Sequence, residues 1–164
     1  MQDSFKKIKT SHCVMMSSDL ETNPVTLKKM IKCSYENQLS IITASRWDKK
    51  KSFNNYGAPK IFLNYLFQKF FSFLYNTKIN DLTFGYRIFP TKLVKNISWE
   101  MKDHSFLFET IIKPLKMGAP IIQISSKWNK RTEGKTSNEI LNYFKYIFIG
   151  LKVYFLSKKF LIKN

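Results

Sequence analysis

A short apolar run, a helix signal and a second short apolar run follow one another within the first 44 residues, and this pattern constrains the fold most. Residues 12–17 (HCVMMS) read as a buried strand. Asn23-Pro24 marks a helix start, with Asn23 as N-cap and Pro24 at the first helical position. Val25, Leu27, Met30 and Ile31 supply the inner face of that helix. Residues 39–44 (LSIITA) form the next strand. Strand, helix and strand make a βαβ unit, expected to be parallel and right-handed. An α/β class follows, with a sheet flanked by helices.

The rest of the chain extends the pattern. Residues 47–59 are polar and read as a loop. Residues 60–75 form a long helix that is apolar almost all round, so it is either deeply packed or touches lipid. A short strand at 86–89 ends at Pro90. Residues 106–116 read as a helix stopped by Met117-Gly118-Ala119-Pro120. Residues 121–125 form a strand, 128–137 a polar loop, and 138 to about 157 the last helix. The division is a domain at 1–137 followed by a basic amphipathic helix at 138–164.

Charge narrows the partners. The 28 Lys and Arg against 11 Asp and Glu give +17. Such a balance favours nucleic acid, lipid headgroups or phosphorylated substrates. No RNP-like aromatic motif or KH loop is present, and the basic residues are spread rather than striped, which disfavours nucleic acid. Cys13 and Cys33 stand without a CxxC or a histidine cluster, so a reducing compartment is the default. Residues 1–9 are polar and basic, with no apolar core of a signal peptide. Lysines interrupt the apolar stretches after residue 140, where a spanning helix needs about 18 or more apolar residues. That segment has no acid after Glu139 and reads as a basic amphipathic helix, lying on a membrane or packed on the domain.

Several short motifs carry candidate chemistry. Ser17-Ser18-Asp19 with Glu21 follows a strand directly, where ligands bind in open α/β sheets. Carboxylates there suit Mg²⁺ or Mn²⁺, though an acidic turn favouring a helix dipole has the same composition. Ser45-Arg46-Trp47 follows the next strand, and Arg46 is either a bidentate phosphate ligand or a surface arginine. In Asp81-Leu82-Thr83-Phe84-Gly85-Tyr86-Arg87, Gly85 permits an unusual turn, Asp81 can orient a hydroxyl, and Arg87 can pin an acid or a phosphate. Glu109, in Phe106-Leu107-Phe108-Glu109, is an acid on an apolar helix face that needs a partner or a role. A general base and a structural partner for Arg87 are both open. Arg131-Thr132-Glu133-Gly134-Lys135-Thr136 is a basic loop.

In order and spacing these motifs resemble the second half of a family-2 glycosyltransferase of the GT-A fold, of the dolichyl- and undecaprenyl-phosphate sugar transferase kind. The resemblance spans residues 11–137 and implies a partial GT-A, Rossmann-like mixed sheet, with the N-terminal nucleotide-binding half largely absent. It implies a nucleotide-sugar donor and a polyprenyl phosphate or another glycan or lipid acceptor, with inversion at the anomeric carbon. Asp19 and Glu21, with Ser17 in place of the family's first Asp, would hold Mg²⁺ or Mn²⁺. Arg131 and Lys135 would neutralise the leaving pyrophosphate, with Thr136 where the family prefers Ser. Arg46 and Arg87 would meet phosphate, and Asp81 and Glu109 would act on hydroxyls. The expected location is cytoplasmic, on the inner face of an anionic membrane.

A chain without the nucleotide-binding half would leave a sheet edge unpaired. Three readings therefore stay open. The chain is a truncated or split transferase completed by a second chain, an inactive fragment working only in a complex, or a basic membrane- or RNA-binding module.

Overall fold

The computed structural model describes residues 2–18, 21–47, 58–127 and 140–163. The elements run α1 (Gln2–Lys7), β1 (His12–Met15), α2 (Pro24–Glu36), β2 (Ile41–Ser45), α3 (Ala58–Leu74), β3 (Arg87–Pro90), α4 (Thr91–Asn96), α5 (Ser105–Met117), β4 (Ile121–Ser125) and α6 (Ile140–Phe155). A 3-10 turn at Lys158–Leu161 follows. The four strands form one mixed sheet in the order β1-β3-β2-β4, flanked by helices. This is the α/β class expected, of Rossmann-like kind.

One feature of the expected βαβ unit needs correction. β1 and β2 point the same way, but they are not neighbours, because β3 lies between them antiparallel to both. Burial explains the placement. All four residues of β3 and all five of β2 are buried, so these strands take the centre. β1 and β4 keep partly exposed residues and take the edges. Pro90 does not end β3 early: it closes the strand opposite His12.

Helix ends follow their local chemistry. Asn23 has extended backbone, and its Oδ1 accepts from the Val25 amide at 2.9 Å, with Pro24 opening α2. Gly118 closes α5 at φ 85°, a left-handed conformation that favours glycine. Two helices lie where the sequence offered no periodic signal. α1 is anchored by Phe5, whose ring meets Phe89 at 5.8 Å, Trp99 at 5.7 Å and Phe106 at 5.9 Å. α4 follows β3 directly and buries Val94.

The core has three parts. α2 covers one sheet face through Met30 against Ile42, Ala44 and Ile88. α1 and α4 join Met15, Ile41 and Phe89. The largest part joins Phe71 of α3, Phe108 and Ile112 of α5, and Ile149 and Val153 of α6. Gly150 sets the distance between α3 and α6, since a Cβ there would sit 2.2 Å from the Phe71 ring. The Tyr75 hydroxyl donates to the Gly150 carbonyl at 2.8 Å. α6 thus packs on the domain along one face. Among the described residues no helix is long and apolar enough to cross a membrane.

Candidate functional site

Strand direction gathers the motifs. β1, β2 and β4 all end at one edge of the sheet, and antiparallel β3 begins there, with Met15 and Thr43 both opposite Arg87 and Ser45 opposite Ser125. The described residues after β1 (16–18), after β2 (45–47), before β3 (81–86) and after β4 (126–127) therefore share this edge. The N-terminus of α2 joins them: the hydroxyls of Thr26 and Ser126 are hydrogen-bonded at 3.0 Å, and the Tyr86 hydroxyl donates to the Asn23 carbonyl at 3.2 Å.

Asp81 and Arg46 form the centre of the described edge. Asp81 is fully buried. Its Oδ2 accepts from the Arg46 amide at 2.9 Å and from Arg46 Nε at 2.8 Å, and its Oδ1 accepts from Arg46 Nη2 at 2.8 Å. The Arg46 guanidinium lies 4.8 Å over the Phe84 ring, and its side chain is only 14% exposed. A bidentate pair held on one side by an aromatic face is rigid. It fastens the segment after β2 to the segment before β3. Asp81 therefore spends its acceptor capacity on Arg46, and Arg46 meets a protein carboxylate where a phosphate was expected.

Thr83 continues the network. Its hydroxyl accepts from Arg46 Nη2 at 3.2 Å and from Gln68 Nε2 at 2.9 Å, while Gln68 Oε1 accepts from the Leu82 amide at 2.7 Å. Asn80 bridges the other way. Its Oδ1 accepts from the Ser45 hydroxyl at 2.6 Å, and its amide donates to Gln123 at 2.9 Å. The sequence reading passed over Gln68, Asn80 and Gln123. The signal was present for Gln68, an amide in a mostly apolar helix, since a buried amide must find partners.

Gly85 serves by close approach rather than by an unusual turn. Among the described glycines only Gly118 has positive φ, while a Cβ on Gly85 would stand 2.8 Å from a methyl of Leu107. α5 can therefore lie directly against the motif.

Arg87 is fully buried, away from any phosphate arriving at the surface. Nη2 donates to the Leu82 carbonyl at 2.8 Å, Nε to Thr43 Oγ1 at 3.2 Å and Nη1 to Thr110 Oγ1 at 2.5 Å; Nη1 also donates to the Leu107 carbonyl. Burial pulls its pKa down to about 9, opposed by the charge of Asp81. The guanidinium ties β3, β2, α5 and the 81–86 segment together. The acid or phosphate contact expected of it is replaced by these internal ones.

Glu109 also has a partner other than Arg87. It is fully buried, 2.6 Å from Lys113 Nζ, one helical turn on. Its Oε1 accepts from the Glu100 amide at 2.8 Å and its Oε2 from the Met101 amide at 2.9 Å. Lys113 also donates to the Ser98 carbonyl at 2.5 Å and to Glu100 at 3.0 Å. Both carboxylate oxygens are thus occupied in pinning residues 98–101 to α5, a correction to the Arg87 pairing and a geometry unlike a poised general base.

Of the expected metal ligands, Ser17 is exposed, and its carbonyl accepts from the Thr22 hydroxyl at 3.1 Å. Glu21 is half-buried on the same segment. A serine hydroxyl and a carboxylate are oxygen donors of the kind Mg²⁺ or Mn²⁺ takes, so in chemistry this part of the set fits such an ion. Among the described residues no three His, Cys, Asp or Glu side chains cluster. Asp19, the central ligand of the expected set, lies outside the described residues, as do Arg131, Lys135 and Thr136. Neither a protein-family model nor a curated protein matches the chain.

Proposed function

We propose that this chain carries the diphosphate- and acceptor-facing part of a sugar-transfer site. It would move a sugar from a nucleotide-sugar to a lipid-linked phosphate or a sugar acceptor, at the cytoplasmic face of a membrane. The observation that supports this best is the convergence of residues 16–18, 45–47, 81–86 and 126–127 on the edge where β1, β2 and β4 end. That edge is where open α/β sheets bind their ligands. The sequence 131–136 follows closely after β4.

In this reading Ser17, Asp19 and Glu21 hold a divalent ion. When bound, Mg²⁺ or Mn²⁺ offsets charge on the nucleotide diphosphate. Arg131 and Lys135 neutralise the leaving group, and Thr136 gives it a hydroxyl donor. The clamped Asp81 and Arg46 hold the floor of the site in place. A polyprenyl phosphate acceptor is already anionic, so the transfer needs little base catalysis, in keeping with the engaged state of Glu109. A sugar hydroxyl acceptor would need Glu109 released from Lys113.

A second reading has its own support. Arg46, Arg87 and Glu109 are all occupied by internal partners. That favours a scaffold that contributes to a complex without catalysing transfer. The discriminating experiment measures transfer of labelled sugar from a nucleotide-sugar panel to polyprenyl phosphate, in membranes containing the chain and its native partners. We expect metal-dependent transfer, with Asp19→Ala costing activity and Arg131→Ala lowering the rate by on the order of 10²-fold or more. Transfer equal in all three preparations overturns the site assignment. Absence of transfer above a chain-free control favours the scaffold.

A further inference from the structure

Helix α3 carries apolar side chains on two faces, and only one of them is covered. Phe67, Phe71 and Tyr75 point inward, with Phe67 4.7 Å from Phe71 and 5.1 Å from Phe108, and Tyr75 5.9 Å from Tyr154 of α6. On the opposite face Phe62, Leu63, Leu66, Phe70 and Phe73 are exposed, Phe62 by 61% and Phe73 by 86%. The spacing 62, 66, 70, 73 draws one stripe along the helix, about 16 Å long at the usual rise.

α6 repeats the arrangement. Phe144, Phe148 and Phe155 are exposed at 69%, 60% and 80%, again on one helical stripe. Phe160, just beyond, is 60% exposed, with Lys159 Nζ 5.0 Å over its ring. Isolated exposed apolar residues are ordinary, but two stripes on a pair of packed helices mark an interaction surface.

Charge selects the occupant. Neither α3 nor the stretch 140–163 contains an Asp or Glu. Lys69 is exposed on α3, and Lys158 and Lys159 are exposed beyond α6. A second copy of the chain would bring together two molecules of +17 each, with no acid on α3 or in 140–163 to offset them. A layer of anionic lipid headgroups complements both features: acyl chains take the rings and phosphates take the lysines.

We propose that the outward stripes of α3 and α6 form a bilayer-docking surface, on which both helices lie in the headgroup region of an anionic membrane without crossing it. The inference deepens the membrane-peripheral part of the proposed function and is independent of the transfer chemistry. It also resolves the two options left open for α3, which is packed on one face and lipid-facing on the other.

The test is flotation of the full chain with vesicles of phosphatidylcholine alone, or with phosphatidylglycerol added, over a salt series. Binding should need the anionic lipid and weaken with salt. The variant Phe62→Ser/Phe70→Ser/Phe73→Ser should weaken it about 10-fold or more, because each ring lost removes apolar area from the bilayer. All three positions are exposed, so the thermal melt should stay near that of the parent; Lys158→Gln/Lys159→Gln provides a second variant that touches no core. No binding to anionic vesicles, or binding that both variants leave unchanged, overturns the proposal. A parent dimer in sedimentation that the Phe variant dissociates, with no vesicle binding, assigns the face to a second copy instead. Neither readout requires a sugar donor, so failure here leaves the transferase reading standing, and failure of transfer leaves this one.

Discussion

Removing Asp81 should show how far the edge of the sheet depends on one ion pair. Asp81 is fully buried, and Arg46 is 14% exposed at its side chain, so water screens little of the attraction. Asp81→Ala deletes three hydrogen bonds of 2.8 to 2.9 Å and leaves the Arg46 guanidinium without its carboxylate. Breaking a buried pair from one side costs about 3–5 kcal/mol, mostly from the stranded charge. Arg46→Ala should cost a similar amount by stranding Asp81. The double variant removes both charges and should cost less than the two single changes added together. The expected coupling is about 2–3 kcal/mol, at the upper end for contacting residues. Urea unfolding followed by tryptophan fluorescence measures it, since Trp47 adjoins Arg46 in sequence. Additive single changes, with coupling below about 0.5 kcal/mol, would refute the clamp.

Other outcomes follow from the same structure. Lys113→Ala should destabilise by about 3–5 kcal/mol in urea unfolding, because Glu109 stays buried without its cation, and Glu109→Gln/Lys113→Met should recover much of that loss. Glu109→Gln that abolishes transfer while leaving stability unchanged would make Glu109 a base after all. The hydrogen bond from Lys145, helped by Ser105, holds Asp103 at a pKa of about 2, below its usual 3.8. Its stabilising contribution is complete above about pH 4 and is lost as pH falls toward 2. Thermal melts across that window should fall, and Asp103→Asn should reduce the slope. Gly150→Leu should disrupt the α3–α6 contact, since even a Cβ meets the Phe71 ring at 2.2 Å; the expected loss is about 1–3 kcal/mol or more, read as a drop in melting temperature.

Local signals read well from sequence. Asn23-Pro24 opened a helix, Gly118 closed one, and the strand at 121–125 has the bounds expected from the sequence. Those features depend on a few adjacent residues. The neighbour of β1 was not legible, because strand order depends on which strands bury both faces, and β3 competes for the centre only after residues 87–90 meet residues 12–15. α1 was missed because its six residues owe their place to Phe5 reaching Phe89 and Phe106, contacts far along the chain. In the candidate site, the residue types were legible but their partners were not. Asp81, Arg46, Arg87 and Glu109 were all recognised as consequential. The sequence could not tell a charge meant for a ligand from one meant for another side chain.

That distinction changes where positive charge for a diphosphate can come from. Arg46 is neutralised by Asp81, and Arg87 is enclosed by carbonyls and hydroxyls. Lys113 is shared between Glu109 and Glu100, while Lys152 and Lys145 are bound to Glu100 and Asp103. Arg46 and Arg87 are thus spent on holding the edge together, and Lys127, exposed just after β4, is a described cation beside them. An anionic ligand that displaced Asp81 from Arg46 would strand a buried carboxylate, at a cost comparable to what the new contact returned. A ligand that left the pair intact would need cations from elsewhere. In sequence, Arg131 and Lys135 follow shortly after β4, and in the proposed function they would supply that charge. Under the proposed function the labour would divide physically: the arginines at 46 and 87 would shape the platform, and the charge that works on the substrate would come from Arg131 and Lys135.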